Sequence, residues 1–129
     1  KVSLQEMSNV AAASLGLVHH FGHAGLERNQ EVLDIVVAAG RRRLNVEANN
    51  ARDFLGVPAV ADDPVQRQAV LSRERGIILA WARWYRQAVL STESFDPRLN
   101  AEEREQLQVR IDTALHELRE IERDVLEGL

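Results

Sequence analysis

Apolar residues recur at every third or fourth position along most of this chain, and this spacing constrains its fold more than any other feature. Residues spaced in this way share one face of an α-helix. No segment of useful length shows the every-second-residue alternation of a β-strand, and glycine and proline fall mainly between the periodic segments. We therefore predict an all-α fold in which residues 1–129 form a single helical domain, a bundle of about four amphipathic helices.

The first two predicted helices are joined at a glycine-rich turn. The first covers about residues 4–21, and Gly22 and Gly25 follow it. The second covers about residues 26–55. Its long stripe of apolar residues contains Gly40, which indicates either a close approach by another helix or a kink. The first helix carries the stripe Leu4, Met7, Ala11, Leu15, Val18 and Phe21.

The third predicted helix covers about residues 64–90 and is the other long central helix. A short loop over residues 56–63 precedes it, because Gly56 and Pro58 stop the second helix. Asp63-Pro64 then supplies an N-cap and a first helical residue. The side of this helix that we expect to be apolar contains Ala69, Gly76, Ile77, Ala80, Trp81, Trp84 and Ala88.

The fourth predicted helix covers about residues 101–127, and Asn100 with Glu103 forms a capping-box pair at its start. Apolar residues then alternate spacings of four and three. That heptad pattern is typical of left-handed helix packing or of dimerisation. The residues that we predict for oligomerisation are Leu107, Ile111, Leu118, Ile121 and Val125.

Composition excludes several classes of protein. The formal net charge is −4, whereas nucleic-acid-binding modules are normally basic. The chain contains no cysteine, so it has neither disulfides nor thiol chemistry. No apolar run reaches the roughly 18 residues of a membrane-spanning helix. Because the first residues also do not resemble a signal peptide, we expect a cytoplasmic protein with no transmembrane segment.

The sequence offers no defensible catalytic arrangement, so we predict neither an enzyme nor a cofactor. Its best metal candidate is the pair His19 and His23, which are four residues apart and could share a helix face. No third or fourth ligand is evident, and Gly22 lies between the two histidines. Helix-end histidines near solvent are therefore the preferred interpretation of this pair.

Two further motifs could carry chemistry. His116 lies in a His-Glu-Leu-Arg tetrapeptide that resembles the phospho-acceptor box of sensor histidine kinases, where an exposed imidazole stands beside an acid. The Thr-Pro that normally follows is replaced by Glu120-Ile121. Separately, Arg41, Arg42 and Arg43 could bind phosphate or an acidic partner. Three consecutive positions fan around a helix, however, so a solvated face is the preferred interpretation.

Residues 29–92 resemble a phasin. The similar features are Asn29-Gln30-Glu31 opening a long Ala/Val-rich helix, a break near Leu55-Gly56-Val57, and Asp63-Pro64 starting the next helix; Gln66, Gln68 and Tyr85-Arg86-Gln87 follow. Phasins are small bacterial helical proteins that coat polyhydroxyalkanoate storage granules. The resemblance implies no catalytic residues. It implies instead that apolar stripes meet a polyester or lipid-like surface while charged faces stay in water.

The leading prediction is a non-enzymatic bundle that self-associates as a homo-oligomer and binds a hydrophobic polymer or protein surface. Core packing is the default for the aromatic residues of the third helix, but part of this patch could be exposed. A signalling or dimerisation module that uses His116 and a metal-binding bundle are the alternatives. The residues predicted to bind the surface are Leu33, Val37, Leu44, Ile77, Trp81, Trp84 and Tyr85.

Overall fold

The computed structural model describes residues 25–92 and 98–129, and all of its regular structure is helical. Its helices are α1 (Leu26–Leu55), α2 (Pro58–Ala61), α3 (Pro64–Ser91) and α4 (Ala101–Glu127). The three long helices each pack against the other two, so that the described part of the chain is an up-down-up bundle. The prediction of an all-α bundle is confirmed. The first predicted helix, over residues 4–21, lies outside the described residues.

Side-chain capping explains where α3 and α4 begin. The Asp63 carboxylate accepts hydrogen bonds from the backbone N–H groups of Val65 and Gln66, at 3.0 and 3.3 Å, as an N-cap should. At the start of α4, Glu103 N–H donates to the Asn100 side chain at 2.9 Å, and the Glu103 carboxylate accepts from Asn100 N–H at 3.1 Å. Both reciprocal bonds of a capping box are thus present.

The segment predicted to be a loop contains one helical turn. Residues Pro58–Ala61 form α2, which begins after Val57 and ends at Asp62. Proline is favoured in the first turn of a helix because its fixed φ angle is already helical and its missing N–H is not needed there. Pro58 therefore both stops α1 and starts α2, and only the first of these effects was inferred from the sequence.

Apolar faces of the long helices meet in one core. The predicted stripe of α1 is buried from Leu33 to Leu55, and every apolar position of the heptad seam in α4 is buried as well. The seam therefore packs against α1 and α3 within the chain. The buried residues that α4 contributes are Leu107, Ile111, Ala114, Leu118, Ile121 and Val125.

The buried face of α3 differs from the predicted one. Ala69, Gly76 and Ala80 were expected on the apolar side, but all three are exposed. Small residues carry little hydrophobic free energy, so they do not decide which side of a helix turns inward. The larger side chains decide it, and the residues of α3 that are buried are Val70, Glu74, Ile78, Trp81, Ala82, Tyr85 and Val89.

The three long helices approach one another most closely at Gly40. A Cβ atom built at this glycine would lie 2.9 Å from Leu118 Cδ2 of α4 and 3.1 Å from Tyr85 Cγ of α3. Both distances are shorter than ordinary van der Waals contacts. Of the two explanations for Gly40, the structure therefore supports close approach. We refer to Gly40, Tyr85 and Leu118 as the waist.

Ion pairs border the two interfaces of α4. Arg110 of α4 pairs with Asp34 of α1 at 2.6 Å, and Glu117 of α4 pairs with Arg41 of α1. On the other side, Glu122 of α4 pairs with Arg86 of α3. All described ion pairs between different helices thus involve α4. Among the described residues, no helix is long and apolar enough to cross a membrane.

Candidate functional site

The residues predicted to bind a surface lie mostly in the core. Leu33, Val37, Leu44, Trp81 and Tyr85 have exposed fractions between 0 and 7%. Ile77 and Trp84 are half-buried and pack against the same core. In this closed bundle, five of the seven predicted residues are therefore out of reach of a partner, and they could meet one only if the helices separated.

The aromatic side chains of α3 form a cluster beside α1. The Arg43 guanidinium of α1 lies over the Trp81 ring, 4.7 Å from its centroid, which is a cation–π arrangement. Trp84 packs edge-on against Tyr85 with 5.0 Å between the ring centroids. Burial raises the pKa of Tyr85 above its ordinary value of 10.0, although Arg43 acts in the opposite direction. The contact between Arg43 and Trp81 holds α3 against α1, and none of these side chains is a reactive group.

A different set of apolar side chains is exposed, at the end of the bundle where α1 passes into α3. The exposed fractions are 52% for Phe54, 45% for Val57 and 80% for Val65. None of the residues of α2, which lies between them, is buried. We call Phe54, Val57, Val65 and the turn Pro58–Ala61 the apolar end. Exposed apolar residues gathered in one place are typical of interaction sites, unlike apolar residues scattered singly over a surface.

Charged residues surround the apolar end. The Arg73 guanidinium lies 5.4 Å from the centroid of the Phe54 ring, and its carbon stem can lie along apolar surface. Arg67 donates from Nη1 to the carbonyl oxygen of Leu55 at 3.4 Å, and Asp63 caps α3. The apolar end thus has exposed apolar residues with charged residues next to them in the structure, a combination that is common in binding surfaces.

Sequence reasoning missed the apolar end because it followed the periodic stripes. Phe54, Val57 and Val65 belong to no periodic stripe. Phe54 and Val57 come before the turn Pro58–Ala61, and Val65 comes before the first buried residue of α3, Val70. A usable signal was present in the sequence: large apolar residues cluster around Gly56 and Pro58, where turns are ordinarily polar.

His116 lies on the outside of α4, and 76% of its side chain is exposed. Its Nε2 atom is 3.7 Å from Glu120 Oε1, one helical turn further along. Glu117, which follows the histidine in the sequence, instead pairs with Arg41. The acid that accompanies this imidazole is therefore Glu120.

The three consecutive arginines point to different partners. Arg41 pairs with Glu117 on α4, whereas Arg43 pairs with Glu47 at 3.2 Å and covers Trp81. Arg42 is exposed. The cations do not converge on one point, and Arg43 lies against Trp81, whereas Arg42 is exposed as a solvated face requires.

The predicted metal ligands, His19 and His23, lie outside the described residues. Within residues 25–92 and 98–129, no group of three or more histidine, cysteine, aspartate or glutamate side chains could hold a metal ion.

Comparison with known proteins adds no relative. A scan against protein-family models, a search of curated proteins and a search of solved structures each gave no match.

Proposed function

We propose that this chain is a non-enzymatic helical-bundle protein that attaches to a hydrophobic surface, and that the apolar end makes the contact. The observation that carries the proposal is the exposure of Phe54, Val57 and Val65 near one end of the bundle, whereas most other large apolar residues of the described part of the chain are covered. The proposed surface is that of a polyhydroxyalkanoate granule, which the resemblance of residues 29–92 to phasins implies. That stretch forms α1, α2 and α3.

Physical considerations support attachment through this end. Transfer of a large apolar side chain from water to an apolar phase is favourable by about 1.5–3 kcal/mol when it is fully buried. Several such residues are already exposed here, so attachment needs no opening of the core. The apolar stripes of α1 and α3 would add much more apolar area, but only after the packing at the waist is broken.

Binding to polyhydroxybutyrate particles tests the proposal. We expect the double substitution Phe54→Asp with Val65→Asp to abolish most of the binding, because two charges would have to be desolvated at the contact. The matched control is Val109→Asp, since Val109 is 61% exposed but stands on the outer face of α4. Each variant is compared with the unsubstituted chain by sedimentation with the particles, and its fold is verified by circular dichroism.

The outcomes separate three situations. Loss of binding in the double variant with normal binding in the control supports attachment through the apolar end. Normal binding in both contradicts this assignment, and then the apolar stripes have to be exposed by opening of the bundle. No binding by the unsubstituted chain, even to a simple apolar resin, overturns the function itself. Trp81→Glu is unsuitable for this test, because Trp81 is 1% exposed and a buried charge would unfold the bundle.

A second function is favoured by one observation, the exposed imidazole of His116 beside Glu120. In a signalling module, Nδ1 of His116 would attack the γ-phosphorus of ATP held by a partner histidine kinase, and the bond to the β–γ bridging oxygen would break so that ADP leaves. Glu120, which lies beside Nε2, would accept the Nε2 proton. Acid-labile phosphate should then appear on the chain when it is incubated with such a kinase, and His116→Gln should abolish it. Label that persists in His116→Gln would contradict the assignment.

A further inference from the structure

A groove on the outer side of the contact between α1 and α3 carries apolar side chains from both helices. On α1, Ile35, Ala39 and Val46 follow one another at spacings of four and seven and so share a face. On α3, the groove is lined by Ile77, Ala80 and Trp84, which adjoin the contact between Arg43 and Trp81. We call these six residues the outer groove. Ile35 is 39% and Val46 is 41% exposed, while Ala39, Ile77 and Trp84 are half-buried.

The other two edges of the bundle differ in chemistry. The α1–α4 edge carries the Asp34–Arg110 pair and the α3–α4 edge carries the Arg86–Glu122 pair. Charged groups paired in this way at a helix edge are suited to contact with water. The α1–α3 edge carries an ion pair too, Arg43 with Glu47, but both of its residues lie on α1 and Arg43 covers Trp81. Around that pair the outer groove presents aliphatic and aromatic carbon, as the fourth position of a helical bundle does when another amphipathic helix is to fill it.

We propose that the occupant of the outer groove is the chain's own segment 4–21, which would complete a four-helix bundle. Three arguments from the sequence support this choice over a second copy. The segment carries one continuous apolar stripe from Leu4 to Phe21 and needs a partner for it. It is tied directly to the start of α1 by the short stretch Gly22–Gly25. Short connections make consecutive helices antiparallel neighbours.

Length agrees with the docking. At 1.5 Å per residue, a helix of 18 residues is about 27 Å long, which reaches from the start of α1 to about the level of Arg43. Val46, the last apolar position of the outer groove on α1, lies less than one helical turn beyond that level. In an antiparallel arrangement, Ala11 and Ile35 both lie about twelve residues from the middle of the turn and would therefore face each other across the groove.

Chemical cross-linking can test the proposal cleanly because the natural chain contains no cysteine. The test variant is the full chain with Ala11→Cys and Ile35→Cys, treated with a short bismaleimide. The control carries Ala11→Cys and Val109→Cys. Because Arg110 pairs with Asp34, Val109 stands at nearly the same height along the bundle as Ile35, but on the outer face of α4. Both altered bundle positions are exposed, so neither substitution should disturb the core.

We expect the Ala11/Ile35 pair to cross-link within one chain about ten times faster than the Ala11/Val109 pair, because docking raises the effective concentration of the two thiols. Equal rates for the two pairs would overturn the proposal, since a segment that is merely tethered near α1 reaches both positions. Cross-linked dimers as the main product of the Ala11/Ile35 variant would also overturn it, and would assign the groove to a second copy. Neither result bears on particle binding through the apolar end.

Discussion

The waist and the apolar end of this bundle use apolar side chains in opposite ways. At the waist, Gly40 lets Tyr85 and Leu118 approach so closely that an added Cβ atom would overlap with them. At the apolar end, Phe54 and Val65 remain largely in water although they belong to the same helical hairpin. The difference indicates that packing against α4 decides which apolar residues are buried. Apolar residues of α1 and α3 that contact the α4 seam are buried. The apolar end comprises the last turn of α1, the turn Pro58–Ala61 and the first turn of α3, and no residue of the α4 seam covers it.

The largest expected effect of this difference is on stability. We expect Trp81→Ala to lower the free energy of unfolding by about 3–5 kcal/mol, the usual cost of deleting a buried large aromatic side chain. Phe54→Ala should cost only about 0.5–1 kcal/mol, because an exposed ring loses little beyond its contact with Arg73. Urea unfolding followed by circular dichroism measures both values. Equal costs would mean that Phe54 is covered in solution, and the comparison would fail.

Two glycines of the long helices should respond to alanine with opposite signs. A Cβ atom at Gly76 meets nothing within 4 Å, so Gly76→Ala should stabilise the chain by about 1 kcal/mol through helix propensity alone. Gly40→Ala gains the same amount but overpacks the waist, which typically costs 1–3 kcal/mol. We expect a net destabilisation of about 1 kcal/mol for Gly40→Ala. The measurement is the thermal unfolding midpoint of each variant, determined in parallel with the unsubstituted chain. A raised midpoint in both variants would show that the waist is loosely packed.

The smallest effect concerns pH. Because burial raises the pKa of Tyr85 above 10.0, the folded chain holds this proton more tightly than the unfolded chain does. The resulting stability is present in full below pH 10 and is lost as the pH rises through the folded pKa. Tyr85 is the only tyrosine, so the absorbance of tyrosinate gives its folded pKa directly. Tyr85→Phe should remove the part of the alkaline loss of stability that Tyr85 causes. A titration midpoint at or below 10 would show that Arg43 outweighs burial at this site.

Sequence reasoning predicted the helix ends well because local chemistry determines them. Asp63-Pro64, Asn100 with Glu103, and Gly56 act on neighbouring backbone groups, and the structure has helix boundaries at these positions. The apolar residues of α4 share one helix face as predicted, since large apolar side chains mark most positions of the seam, and within the chain this face is buried. Their predicted role in oligomerisation stays a prediction. In α3 the small residues made the apolar periodicity ambiguous. The predicted buried face was therefore partly wrong, because Ala69, Gly76 and Ala80 are exposed.

The site was harder to predict because periodicity tells which residues share a face and not what covers that face. The apolar stripes that contain Leu33 and Leu44 on α1 and Trp81 on α3 were identified, but they were assigned to a partner surface. In the fold, α4 and the neighbouring helix cover them. The apolar end was missed for the opposite reason, since no repeating spacing connects Phe54 with Val65.

The aromatic cluster near the waist provides an intrinsic fluorescence probe. Both tryptophans and the single tyrosine lie within five consecutive residues of α3, from Trp81 to Tyr85, so the intrinsic ultraviolet emission of the protein originates from one place. Trp81 is sealed in the core and should emit at short wavelength. Trp84 borders the outer groove, and its emission colour and its quenching by iodide should change with whatever lies in that groove. Events at the apolar end should leave this signal unaltered, so unlabelled protein can report on the two surfaces separately.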